Sequence, residues 1–202
     1  MTTIASTPRA RHRRLHAAPA PHPAGTPRPR MHDLTIGPWQ LRVDPMATHA
    51  AYATPDAAGE RCQCRECRNM DAAFALPDAV PDELRALLLA LGAGQATWAR
   101  RFHVDALESG LHLYGGWLHV VGELVAGPEC RTPIGDGAIF ELALEPLGAR
   151  AAVGFSRTIQ LPPDVLAGRP LVQVELQVEL PWVLAEPPEA SREQPAAATR
   201  AD

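Results

Sequence analysis

Apolar and polar residues alternate most cleanly over residues 171–180. There Val172, Val174, Leu176, Val178 and Leu180 fall on one side, and Gln173, Glu175, Gln177 and Glu179 on the other. A period of two predicts a strand with one face on the core and one face wet. Pro181 has no donor for a ladder and should end regular pairing, turning Trp182, Val183 and Leu184 over the core. Weaker alternation predicts strands within 34–43 (Trp39, Leu41 and Val43 inward), 138–144 (Ala138, Phe140, Leu142 and Leu144 inward) and 152–161 (Val153, Phe155 and Ile159 inward). Residues 100–124 read as two strands joined by a hairpin turn at Glu108-Ser109-Gly110, with Gly115-Gly116 either a bulge in the returning strand or a second tight turn. That choice matters for chemistry. His112 and His119 are seven apart and face opposite sides of a regular strand, whereas one extra residue at a bulge would bring them to one face.

The period lengthens to 3.6 at one clear place. Leu84, Leu87, Leu88 and Leu91 recur at helical spacing after Pro81-Asp82-Glu83, where proline and two carboxylates suit a first turn, and Gly92 stops the helix. A shorter helix is predicted over about 66–74, before Pro77. Strands outnumber helices and do not alternate with them. The predicted class is therefore α+β, an antiparallel sheet of about six strands packed against two helices.

Charge divides the chain of 202 residues, whose net charge is −4. Arg9, Arg11, Arg13, Arg14, Arg28 and Arg30 fall in the first 30 residues with no acidic residue among them, leaving 13 arginines against all 23 carboxylates in the remainder. No lysine occurs anywhere. Residues 1–30, rich in Pro, Ala, His and Arg, have too few branched aliphatics to offset the entropy of ordering and predict a disordered basic leader. The stretch beyond Arg13-Arg14 has no apolar core, so it does not read as an export signal. Residues 188–202 predict a second disordered tail, and 31–187 a single domain; whether Met1 or Met31 starts the chain stays open. The acidic body repels phosphate, leaving nucleic-acid binding to the leader at most. No stretch suits a membrane span, and the expected location is the cytoplasm, where persistent disulfides do not form.

Three of the four cysteines fall in Cys62-Gln63-Cys64-Arg65-Glu66-Cys67, followed by Arg68-Asn69. A C-x-x-C pair on a turn entering a helix, with a third cysteine two residues upstream, lets thiolates converge on a metal. Zinc wants four ligands. Cys130, or one of His103, His112 and His119, is the candidate fourth. Two other readings compete: a reactive thiol at Cys64 or Cys67, activated by the helix dipole and Arg65 or Arg68, and plain packed cysteines.

Elsewhere the sequence mostly excludes. A phosphate-binding loop needs a lysine; Gly135-Asp136-Gly137 lacks the third glycine of a dinucleotide fingerprint, and Gly154-Phe155-Ser156 lacks the closing glycine of a nucleophile elbow. His119 with Glu123 is the remaining acid–base candidate, alone or at a metal. Arg68, Asn69, Tyr114, Trp117, His119 and Glu123 are candidates for a binding surface, together with the wet face of residues 171–180.

These residues together resemble a family of small uncharacterised proteins of actinobacteria and bacilli. The shared stretches are Gly59 through Asn69, with its C-x-C-x-x-C-R-N; Leu91-Gly92; Tyr114 through Glu123, Y-G-G-W-x-H-V-V-G-E; and Leu180 through Leu184, ending P-W-V-L. The resemblance implies that the family unit begins at Met31; it carries no reaction or cofactor, and Cys130 is not among its shared residues. The function expected on these grounds is a non-enzymatic binding or interaction module for a protein or small molecule, stabilised by zinc at the cysteines. A small enzyme using Cys64, Cys67 or His119/Glu123 is the alternative.

Overall fold

The last long alternation forms the middle of the sheet. In a computed structural model describing residues 30–54, 62–94, 97–135 and 139–188, β9 (Leu171–Pro181) lies between β4 (Leu111–Ala126) and β8 (Ala151–Ser156). The two predicted tails fall almost wholly outside the described residues. Beyond β4 come β2 (Trp39–Val43) and β1 (His32–Ile36), and beyond β8 the two-residue β7 (Glu145–Pro146). β3 (Trp98–Ala106) pairs with the first half of β4, while β2 takes the second half. All pairings are antiparallel, and a separate hairpin joins β5 (Arg131–Ile134) to β6 (Ile139–Leu142). The chain is α+β as predicted, with seven strands in the main sheet.

Three helices accompany them: α1 (Pro45–Tyr52), α2 (Arg65–Phe74) and α3 (Asp82–Ala90). Met70, Ala73 and Phe74 of α2 and Leu84, Leu87 and Leu88 of α3 pack with Tyr114, Leu118 and Val120 of β4 and with Val172 to Leu180 of β9 in one core. This is the near face of the sheet. On the far face, Ala51 of α1 and Leu166 of a 3-10 turn cover Val121. Gly92 stops α3 at φ +68°, and a Cβ there would lie 2.0 Å from the Pro45 carbonyl oxygen, so glycine also permits α1 and α3 to meet.

Four expectations need correction. Residues 34–43 are not one strand but a hairpin, turned at Gly37-Pro38. α1 was not anticipated, although Asp44 and Pro45 form an ordinary start signal: the Asp44 carboxylate accepts from the Ala47 N–H at 2.9 Å and Pro45 takes the first helical position. Gly115-Gly116 is neither a bulge nor a turn, because β4 pairs with β9 in unbroken register from Leu111↔Pro181 to Val121↔Leu171. The extra residues lie instead on β3, whose register against β4 shifts at Ala99 and at Val104. Finally, the face of β9 expected to be wet is covered over its first half: Gln173 and Glu175 are buried, while Gln177 and Glu179 stay partly exposed. Among the described residues, no helix is long and apolar enough to cross a membrane.

Candidate metal centre

α2 begins at the cysteines because Cys64 is its N-cap. The Cys64 backbone is extended and its sulfur accepts from the Cys67 N–H at 3.4 Å, a role serine usually fills. Helical geometry then carries Cys67 back beneath Cys64, and the extended segment before the cap brings Cys62 alongside. The Cys62 and Cys64 sulfurs are 3.2 Å apart, and all three sulfurs lie within 4.8 Å of one another. Zinc–thiolate bonds of about 2.3 Å at tetrahedral angles separate sulfurs by about 3.8 Å, so the triad needs only small adjustments to close on one ion. Exposure falls from Cys62, at the surface, through Cys64 to buried Cys67.

The thiols differ electrostatically. Cys62 is held below its usual range, chiefly by the backbone N–H of Cys64 and then by the neighbouring thiols. Burial pushes Cys64 up and Cys67 up to about 12. The two cysteines expected as nucleophiles are thus the two that hold their protons, and the thiol that ionises most readily is Cys62. A metal here must displace protons from Cys64 and Cys67, which makes loading pH-dependent.

Arg101 of β3, which sequence reasoning missed, stands beside the triad. Its guanidinium forks onto the Asp71 carboxylate of α2 at 2.5 and 2.8 Å and reaches the Cys67 sulfur. It fits there because β4 has no side chain below it: a Cβ on Gly116 would come within 2.2 Å of the Arg100 carbonyl oxygen and 2.9 Å of the Arg101 Cα. Nothing in the spacing of Arg101, Asp71 and Gly116 along the chain marks them as neighbours.

The remaining residues of the motif hold the helix down. Asn69 is fully buried; its amide donates to the Tyr114 hydroxyl at 2.9 Å and the Pro181 carbonyl at 3.1 Å, and its oxygen accepts from the Val183 N–H at 2.7 Å. Arg68 pairs with Glu186 at 2.6 Å on the surface, where Arg65 also approaches that carboxylate. Tyr114 is buried, with its hydroxyl pushed up to about 12 by burial. Asn69 and Tyr114 are structural pins and offer no binding surface.

The other predicted site residues lie elsewhere. Because β4 is regular, His112 and Tyr114 face the helices while Trp117 and His119 face the far side of the sheet. His119 is fully buried there, its Nε2 3.2 Å from the Gln173 Oε1. It cannot join the cysteines. Glu123 is exposed opposite Arg42 and, four positions along an extended strand, about 13 Å from His119, so the two make no acid–base pair. Cys130 is buried against Gly154, with its thiol pushed up to about 12 by burial and by the Glu175 and Glu129 carboxylates. It too stands apart from the triad. The first half of the β9 face expected to be wet is occupied by a polar network: Arg131 pairs with Glu175 at 2.8 Å, Gln173 donates to Glu175 at 2.5 Å, and the Arg131 guanidinium lies 4.1 Å from the Phe140 ring centroid and 5.6 Å from that of Trp117.

A histidine pair lies on the near face beside α2. His103 of β3 and His112 of β4 approach to 3.0 Å between Nε2 and Nδ1, with Tyr114 against one ring and Trp182 against the other. Its position is a consequence of register, since His103 pairs with Tyr114 and His112 with Ala106 around the Val104 irregularity. No family model, no curated protein and no solved structure matches the chain, so the chemistry of the cysteine triad is read from its own geometry.

Proposed function

We propose that the chain is a metal-binding module in which Cys62, Cys64 and Cys67 hold one zinc ion as thiolates, leaving its fourth position towards solvent. The observation that carries this reading is the convergence of three sulfurs within 4.8 Å around a helix cap. Its role is that of a non-enzymatic interaction module in the reducing cytoplasm, with a fourth position available to water or to a ligand from a protein or small-molecule partner. Loading would stabilise the fold, because a metal that binds only the assembled triad adds its binding free energy to folding.

Cys64→Ser separates the two roles of Cys64, since serine caps a helix at least as well as cysteine but does not supply a thiolate. The full chain purified without chelator is expected to carry one equivalent of zinc by elemental analysis. Cys64→Ser is expected to lose that metal and the thermal stability it confers, while matching the melting temperature of the chelator-treated parent. Absence of stoichiometric metal in the parent overturns the reading.

A further inference from the structure

We propose that His103 and His112 form a second metal site, distinct from the cysteine triad, for a divalent ion that favours imidazole, such as nickel, cobalt or zinc. The two nitrogens, hydrogen-bonded to each other in the metal-free protein, are spaced as a chelate requires. Two nitrogens bound at 2.0–2.1 Å to one ion stand about 3.3 Å apart at a tetrahedral angle and about 2.9 Å apart at a right angle. The observed separation of 3.0 Å lies between these values.

The rings are also held in place. Tyr114 packs edge-on against His103 with centroids 5.2 Å apart, and Trp182 packs against His112 at 5.0 Å. His112 is 6% exposed, whereas His103 is half-buried and leaves a route from solvent. The Glu66 carboxylate, in the first turn of α2, is near enough to act on His112, so a dication entering here meets negative charge.

In the metal-free pair one ring nitrogen donates to the other. Binding requires both facing nitrogens to be unprotonated, which the donor ring achieves by carrying its proton on its other nitrogen; both imidazoles stay neutral. Imidazole suits borderline ions better than the softest ones, whereas a thiolate triad favours zinc and softer ions. Two sites on one chain therefore select differently.

The test uses the full chain carrying one equivalent of zinc, titrated with nickel chloride by calorimetry and by paramagnetic broadening of the histidine ring resonances. One additional saturable equivalent is expected, with broadening strongest at His103 and His112. His103→Asn, at the more exposed ring, should weaken that equivalent at least tenfold while leaving His12, His16 and His22 of the leader in place as an internal control for adventitious binding. Cys64→Ser should retain it. The proposal is overturned if no second equivalent binds, if His103→Asn leaves nickel affinity unchanged, or if His103→Asn releases the zinc instead, which would make the pair part of the triad's own shell. Failure of the triad to hold zinc leaves the nickel result readable by itself, because the titration can be repeated on Cys64→Ser.

Discussion

His119 shows how a single backbone donor fixes a distant proton. The Gln160 N–H donates to the Gln173 Oε1 at 2.7 Å, which turns the Gln173 amide nitrogen towards Glu175 and leaves the same Oε1 facing His119. His119 Nε2 must then be the donor. Its Nδ1 is an unprotonated lone pair, buried and without a partner among the described residues. Burial accordingly holds the His119 pKa below the usual 6.5. Below that value an unfolded chain binds a proton that the folded one refuses, so stability falls as pH drops from about 7 towards the folded pKa. The melting temperature of the parent is expected to decline more steeply than that of His119→Gln between about pH 7 and pH 5.5, a difference in slope rather than in absolute stability. The sequence marks His119 as a candidate ligand because it is one of three histidines of the hairpin that could supply a fourth donor to the cysteines. What it does not display is the amide that satisfies it, 54 residues away.

At the level of elements, β4 governs where the candidates His112, Tyr114, Trp117, His119 and Glu123 go. Of its sixteen residues, the first eleven, Leu111 to Val121, stay in register with β9 past two adjacent glycines that local chemistry favours for a break. The glycines serve the neighbouring strand instead: Gly115 lies under the Phe102 ring, and Gly116 under the backbone of Arg100 and Arg101. Gly116→Ala forces β3 away from β4 and carries Arg101 with it, and it is expected to cost about 1–3 kcal/mol in urea denaturation, as overpacking does. A period of two was enough to identify β9, and a period of 3.6 enough to identify α3. The same patterns could not tell a wet polar face from a covered one, because Arg131 and Gln160, which cover β9, belong to segments 44 and 13 residues away. α1 was legible in principle, since Asp44-Pro45 is a start signal, but the alternation ending at Val43 masks it.

Across the whole molecule the sheet keeps two unlike faces. The near face is an aliphatic and aromatic core, and α2 with the cysteine triad and the His103–His112 pair lie on that side. The far face carries an ion pair between Arg131 and Glu175 whose side chains are only 7% and 4% exposed, under a hairpin that makes no ladder with the main sheet. Burial raises the Glu175 pKa against the opposing influence of Gln173 and Arg131, which marks the carboxylate as costly to leave alone. Arg131→Met is expected to destabilise by about 3–5 kcal/mol, and Arg131→Met combined with Glu175→Met to recover most of that loss, read by the same denaturation.

The docking of α2 has a consequence for the order of events in the cell. Asn69 is secured by Pro181 and Val183, and Arg68 by Glu186, partners 112, 114 and 118 residues further on. During synthesis the cysteines leave the ribosome long before the partners that clamp Asn69 and Arg68 from the far end of the chain, and contacts of such separation form late. The triad's helix is therefore fully clamped only after translation has passed residue 186, and any ion that needs the seated triad would bind after that point.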